Sequence, residues 1–201
     1  MKELIQTSLE KAISYEDYRI VTAKLVSEEK TSGPNQTESL IFYTKLNNQR
    51  MNRLDKTLEL SPEIIEKANA ISCNLNWLVL TESWCGDAAQ ILPVLNKIAA
   101  ASGKISMSLL FRDDNLELMD HFLTNGGRSI PKLIVVDQSS LEVKGAWGPR
   151  PKPAQDMFQV YKAKKDEIPF KDFQTELQTW YLKDKAKTIQ EELLEFLDIC
   201  Q

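Results

Sequence analysis

The chain has 201 residues, 42% of them hydrophobic and 27% charged, with a net charge of -4 and an isoelectric point near 5.2. These proportions suit one or two globular domains able to bury a core, and the acidic balance argues against a general nucleic-acid binder. Three cysteines at irregular spacing make no disulfide framework and the N-terminus carries no long apolar run, so a reduced, cytoplasmic setting without a membrane span is expected.

The first third of the chain reads as helical. Residues 2–13 and 15–28 predict two helices, closed by the turn-forming run Thr31-Ser32-Gly33-Pro34-Asn35. Over residues 37–60, Leu40, Tyr43, Asn47, Met51, Leu54 and Leu58 recur at helical spacing and form an apolar stripe with one polar member. Lys45, Arg50, Arg53 and Lys56 occupy the other faces. The stripe predicts that this helix packs on a core. Pro62, behind Ser61 as cap, starts a further helix to about residue 71.

A change of period follows. Trp77-Leu78-Val79-Leu80 reads as a short buried strand, and Ala88, Ile91, Leu92, Leu95, Ile98 and Ala99 then share one helical face. Cys85 therefore sits where a strand turns into a helix, and the N–H groups and dipole of a helix start lower a thiol pKa. Glu82 and Asp87 place negative charge nearby and act the other way, while Arg112, Arg128 and Arg150 are candidates to offset them. Strands over 105–111, 133–136 and 141–145 and a helix over 116–123 come next. Gly145-Ala146-Trp147-Gly148-Pro149-Arg150-Pro151 forms a second unusual patch. Helices over 154–164, 170–182 and 185–199 finish the chain, with Phe170, Phe173, Leu177 and Trp180 of the middle one expected in the core.

The run Trp84-Cys85-Gly86, with Pro93 eight positions after the cysteine and Ile130-Pro131 leading into an apolar strand, resembles the thioredoxin superfamily. Within it the chain is similar to a bacterial branch with extra N-terminal helices, an aspartate after the Cys-Gly pair and a Trp-Gly-Pro-Arg-Pro loop. The resemblance implies an α/β fold: a thioredoxin-like central mixed sheet flanked by helices over residues 74–165, an N-terminal helical extension over 1–73 packed on it, and additional C-terminal helices over 166–201. It also implies that Pro131 is cis and faces Cys85, that Ile130 offers backbone groups to a substrate, and that Trp84, Gly86, Trp147 and Arg150 surround the site, with Arg112 and Arg128 toward the same end.

The departures from that pattern restrict the chemistry. The second thiol of a dithiol oxidoreductase is replaced by Ala88, and the buried acid six residues before the nucleophile by Val79. An extended strand separates Cys73 from Cys85, beyond disulfide reach. Cys200 closes the apolar stripe of the last helix and reads as a small buried hydrophobe. A lone Cys85 leaves mixed-disulfide or sulfenate chemistry with a protein or low-molecular-weight thiol as partner. The alternative is a non-catalytic thioredoxin-fold binding module. The single histidine, His121, gives no hydrolytic pair with Cys85, and neither a zinc ligand set nor a phosphate loop is present, so neither a metal nor a cofactor is expected. The oligomeric state does not follow from these residues.

Overall fold

The computed structural model describes residues 1–200. Four helices come first: α1 (Lys2–Lys11), α2 (Tyr15–Ser27), α3 (Glu38–Thr57) and α4 (Pro62–Ala70). Three of them start on hydroxyl caps. The Ser14 side chain accepts from the N–H of Asp17, Thr37 from Leu40 and Ser61 from Ile64, and Pro62 fills a first-turn position where no N–H is needed. The central part runs β1 (Leu75–Thr81), α5 (Ala88–Ser102), β2 (Ile105–Phe111), α6 (Leu116–Asp120), β3 (Lys132–Asp137) and β4 (Val143–Trp147). Helices α7 (Lys152–Ala163), α8 (Phe170–Asp184) and α9 (Lys187–Leu197) follow.

The four strands form one mixed sheet in the order β2-β1-β3-β4. β1 runs parallel to β2 and antiparallel to β3, which pairs antiparallel with β4. In β1 every residue but Asn76 is buried, as expected of an interior strand covered on both faces. Pro93 lies inside α5, and the helix is buried without a break from Ala88 to Leu95. It packs against α3, α4, β2 and α9. The first helices are thus part of the same packed body: α3 lies on α2 and α5, with Thr44, Asn47 and Met51 buried. Asn47, the polar member of the predicted stripe, donates Nδ2–H to the Ser83 carbonyl at 3.0 Å and ties α3 to the loop that carries Cys85.

Some elements differ from their sequence expectation. α6 stops at Asp120, because the chain then folds into a tight turn in which Thr124 and Gly127 bond each other and Gly126 takes a φ of +75°. β4 begins at Val143 instead of 141, because the Asp137 carboxylate accepts from the N–H groups of Ser139 and Ser140 and holds those residues in a turn that Leu141 leaves at a φ of +56°.

The larger correction concerns the cysteines. Cys200, expected as a small buried hydrophobe, is disulfide-bonded to Cys73 with a Cα separation of 5.6 Å. The N–H of Ser72 donates to the Cys200 carbonyl at 3.1 Å and holds the chain after α9 alongside the entry to β1. The expectation of a reduced setting therefore loses its cysteine argument. Among the described residues no helix is long and apolar enough to cross a membrane.

Candidate functional site

β1 ends at Thr81, and residues 82–87 turn the chain into α5. Cys85 sits in that turn, 7% exposed, and is the one free cysteine among the described residues. Its thiol donates to the Ile130 carbonyl at 3.3 Å, and the N–H of Ala88 points at the sulfur from 3.5 Å. The Ile130–Pro131 peptide is cis. Above the sulfur opens a cleft of about 840 Å³, lined by Trp84, Cys85, Gly86, Asp87 and Ile130 from the sheet end, by α3 on one side and by α8 on the other.

The helix start does not win at this thiol. Burial, followed by the Asp87 charge, pushes the Cys85 pKa up to about 12, against the pull of the Ala88 N–H and Arg150. The expected lowering is overruled because α5 begins inside the protein, where desolvation exceeds what a helix terminus supplies.

Asp87 is buried beside Cys85 and is held from two later elements. Arg150 Nη2 lies 2.6 Å from its carboxylate, and the Tyr181 hydroxyl of α8 donates to it at 2.9 Å. Burial pushes the Asp87 carboxyl up, while Arg150 and Tyr181 pull it down. For Arg150 burial acts downward and is outweighed by Asp87 and its neighbours, so its pKa rises. At this separation we take the pair as ionised. The guanidinium also lies 4.5 Å over the Phe158 ring.

What places Arg150 is the loop before it. Gly148 has a φ of +106°, and a Cβ there would stand 2.4 Å from the Pro131 carbonyl oxygen. The Trp-Gly-Pro-Arg-Pro loop thus lies directly against Pro131, with Lys132 Nζ donating to the Gly148 carbonyl at 3.0 Å. Gly148→Ala is expected to destabilise the protein by about 1–3 kcal/mol through the backbone conformation, with the steric clash adding to it. Thermal unfolding of the variant checks this; an unchanged midpoint would mean the loop has room to move.

The other sequence candidates divide into those on the cleft and those beneath it. Arg112 lines the cleft, lies 5.1 Å over the Trp84 ring and pairs with Asp113. Arg128 lines it from the rim and pairs with Asp120 through two hydrogen bonds. Glu82 is fully buried, accepting from the Ser32 hydroxyl and, at 2.9 Å, from the N–H of Asp113; burial pushes its carboxyl up. Trp147 is buried away from the cleft and donates its indole N–H to Glu192 at 2.8 Å, which also accepts from the N–H of Lys152. His121 is exposed. Among the described residues no group of three or more His, Cys, Asp or Glu could hold a metal ion.

Several residues around Cys85 come from helices that sequence reasoning treated as core or solvated face. Tyr181 and Gln178 reach in from α8, where Gln178 accepts from Gln90 Nε2 at 2.8 Å. Tyr43 of α3 donates to Gln174 of α8 at 2.6 Å and joins the two walls. Arg50 of α3 stands close enough that a Cβ on Gly86 would sit 3.5 Å from its Nη1. The polar residues interrupting the apolar face of α8, Gln174 and Gln178, were the available signal.

Comparison with known proteins gives the following. A family model described as thioredoxin matches residues 33–164. No curated protein matches the sequence. Among solved structures, an HIV epitope-scaffold is similar with a TM-score of 0.56 and 16% identity, over 94% of this chain and 100% of that one. A protein of unknown function from Pseudomonas aeruginosa has a TM-score of 0.50 and 16% identity, over 90% of this chain and 99% of that one. At that identity these two likenesses concern the fold alone.

Proposed function

We propose that this chain, which belongs to the thioredoxin family, performs thiol–disulfide exchange through Cys85 alone, on a low-molecular-weight disulfide that enters the cleft. The observation that carries the reading is the position of the sulfur, at the floor of an open cleft and 3.3 Å from the carbonyl that precedes Pro131. In the first step the Cys85 sulfur bonds one sulfur of the substrate, the substrate S–S bond breaks, and the leaving thiolate takes up the thiol proton. An outside thiol then attacks the mixed disulfide, regenerates Cys85 and departs as a disulfide with the bound half. The net change is an exchange: one substrate disulfide is broken and one disulfide formed between the outside thiol and half of the substrate, the other half leaves as a thiol, and no second cysteine of this chain takes part.

The high thiol pKa favours a second reading, in which the cleft binds its ligand and Cys85 remains a protonated part of the floor. Incubation with oxidised glutathione followed by peptide mass spectrometry separates the two. Exchange predicts a glutathione adduct on the Cys85 peptide of the native protein and none in Cys85→Ser. A native protein that stays unmodified at a pH where its unfolded form reacts completely would leave the binding reading standing.

A further inference from the structure

We propose that the cleft is a binding site for a low-molecular-weight carboxylate with an apolar chain, its head group on Arg50 and its chain between α3 and α8. The inference goes beyond the exchange chemistry, because it uses the walls of the cleft and not the thiol.

Charge is the first argument. A chain with net charge -4 lines this one cleft with five cations, Arg50, Arg112, Arg128, Arg150 and Lys171, and a single carboxylate, Asp87. Asp87 is taken by Arg150, while Arg112 and Arg128 pair with aspartates outside the lining. Arg50 has no carboxylate partner among the described residues. Its Nη1 donates to Asn47 Oδ1 at 2.9 Å, which fixes the guanidinium beside the Cys85 loop and leaves its other donors for a ligand. Arg50 is half-buried, and burial disfavours its charged form more than the nearby Asp87 charge favours it. A bound anion would offset that cost.

Apolar side chains predominate in the rest of the lining, with Gln174 and Gln178 among them. Leu40 and Leu46 of α3, Phe158 of α7, and Phe173 and Leu177 of α8 line the cleft. At the rim Phe42 is 60% and Phe170 53% exposed, large aromatic surfaces at the mouth of a site rather than scattered over the protein. The volume of about 840 Å³ falls within the roughly 300–1,000 Å³ of small-molecule sites. Among the described residues Arg50 is the guanidinium of this lining without a carboxylate partner, and it suits a planar carboxylate, which it can meet with two parallel hydrogen bonds.

Calorimetric titration of the full chain with dodecanoate and with dodecanol, both kept below their aggregation concentrations, tests the assignment. The acid is expected to bind at least tenfold more tightly than the alcohol. Arg50→Met should remove that preference, and Arg50→Lys should keep part of it. Equal binding of acid and alcohol by the unaltered protein, equal binding of dodecylamine, or no binding of any of them would overturn the proposal. The comparison of acid with alcohol requires no variant, so a misfolded substitution does not decide it. Because binding is read directly, a protein that prefers the acid yet forms no glutathione adduct retires only the exchange reading, and the converse retires only this one.

Discussion

Replacing Arg150 with methionine is expected to destabilise the protein by about 3–5 kcal/mol, the range for removing one partner of a buried ion pair. The substitution leaves the Asp87 carboxylate buried, with the Tyr181 hydroxyl as its remaining side-chain hydrogen bond. Methionine keeps contact with Phe158, so loss of packing is a minor part of the effect. The pH dependence identifies the cause. Burial already raises the folded-state pKa of Asp87 in the intact protein, and removing Arg150 takes away the largest opposing pull and lifts it further above its unfolded value of about 3.9. Such a group contributes its stability below the unfolded pKa and loses it as pH rises through the folded one, so the deficit should be small near pH 4 and full at neutrality. Adding Asp87→Asn removes the buried charge and should restore much of the loss. Urea unfolding at several pH values measures all three proteins. A cost below about 1 kcal/mol, flat with pH, would mean that water reaches the pair.

The second large effect concerns the thiol itself. With its pKa pushed up to about 12, Cys85 should alkylate at pH 7 about a thousandfold more slowly than an ordinary thiol, because only the thiolate reacts. The rate should keep rising above about pH 10, where an exposed cysteine has already levelled off. Cys73 and Cys200 are bonded to each other, so without reductant the signal comes from one site. Asp87→Asn removes the second cause of the upward shift and frees Arg150 to favour the thiolate, so it should speed the reaction about tenfold, the change expected from one pKa unit. Peptide-resolved alkylation against pH provides the profile. A native Cys85 whose rate profile has its midpoint near pH 8.5 would place the thiol in contact with water.

The contrast between Cys85 and its surroundings marks how far sequence reasoning reaches. The strand at Trp77–Leu80, the helix from Ala88 and the pairing of a Trp-Cys-Gly turn with a distant Ile-Pro were legible because each is a local pattern. The thiol pKa was not. The helix start can be read from neighbouring residues, but desolvation depends on elements that fold over the turn from far along the chain, as Tyr181 of α8 does. Arg50 was hidden for a related reason: an apolar stripe says which face of α3 is buried, and says nothing of a helix 120 residues later that turns another face into the wall of a cleft. Cys73 and Cys200 lie 127 positions apart, and nothing in their spacing brings two thiols within disulfide distance.

That bond gives the two walls of the cleft unequal mechanical standing. With it in place, residues 73–200 form a closed covalent ring that holds the whole sheet, α5 and all three C-terminal helices. α8 lies within the ring, joined to the sheet in one direction through α7 and in the other through α9 and the bridge. α3 lies outside it and is linked to the sheet in one direction only, through α4. The two walls are therefore held by different means: α8 by covalent closure of the ring, and α3 by packing on α2 and α5 and by the Asn47–Ser83 hydrogen bond, so that reducing the bond would loosen the α8 side of the cleft and leave the α3 side as it is.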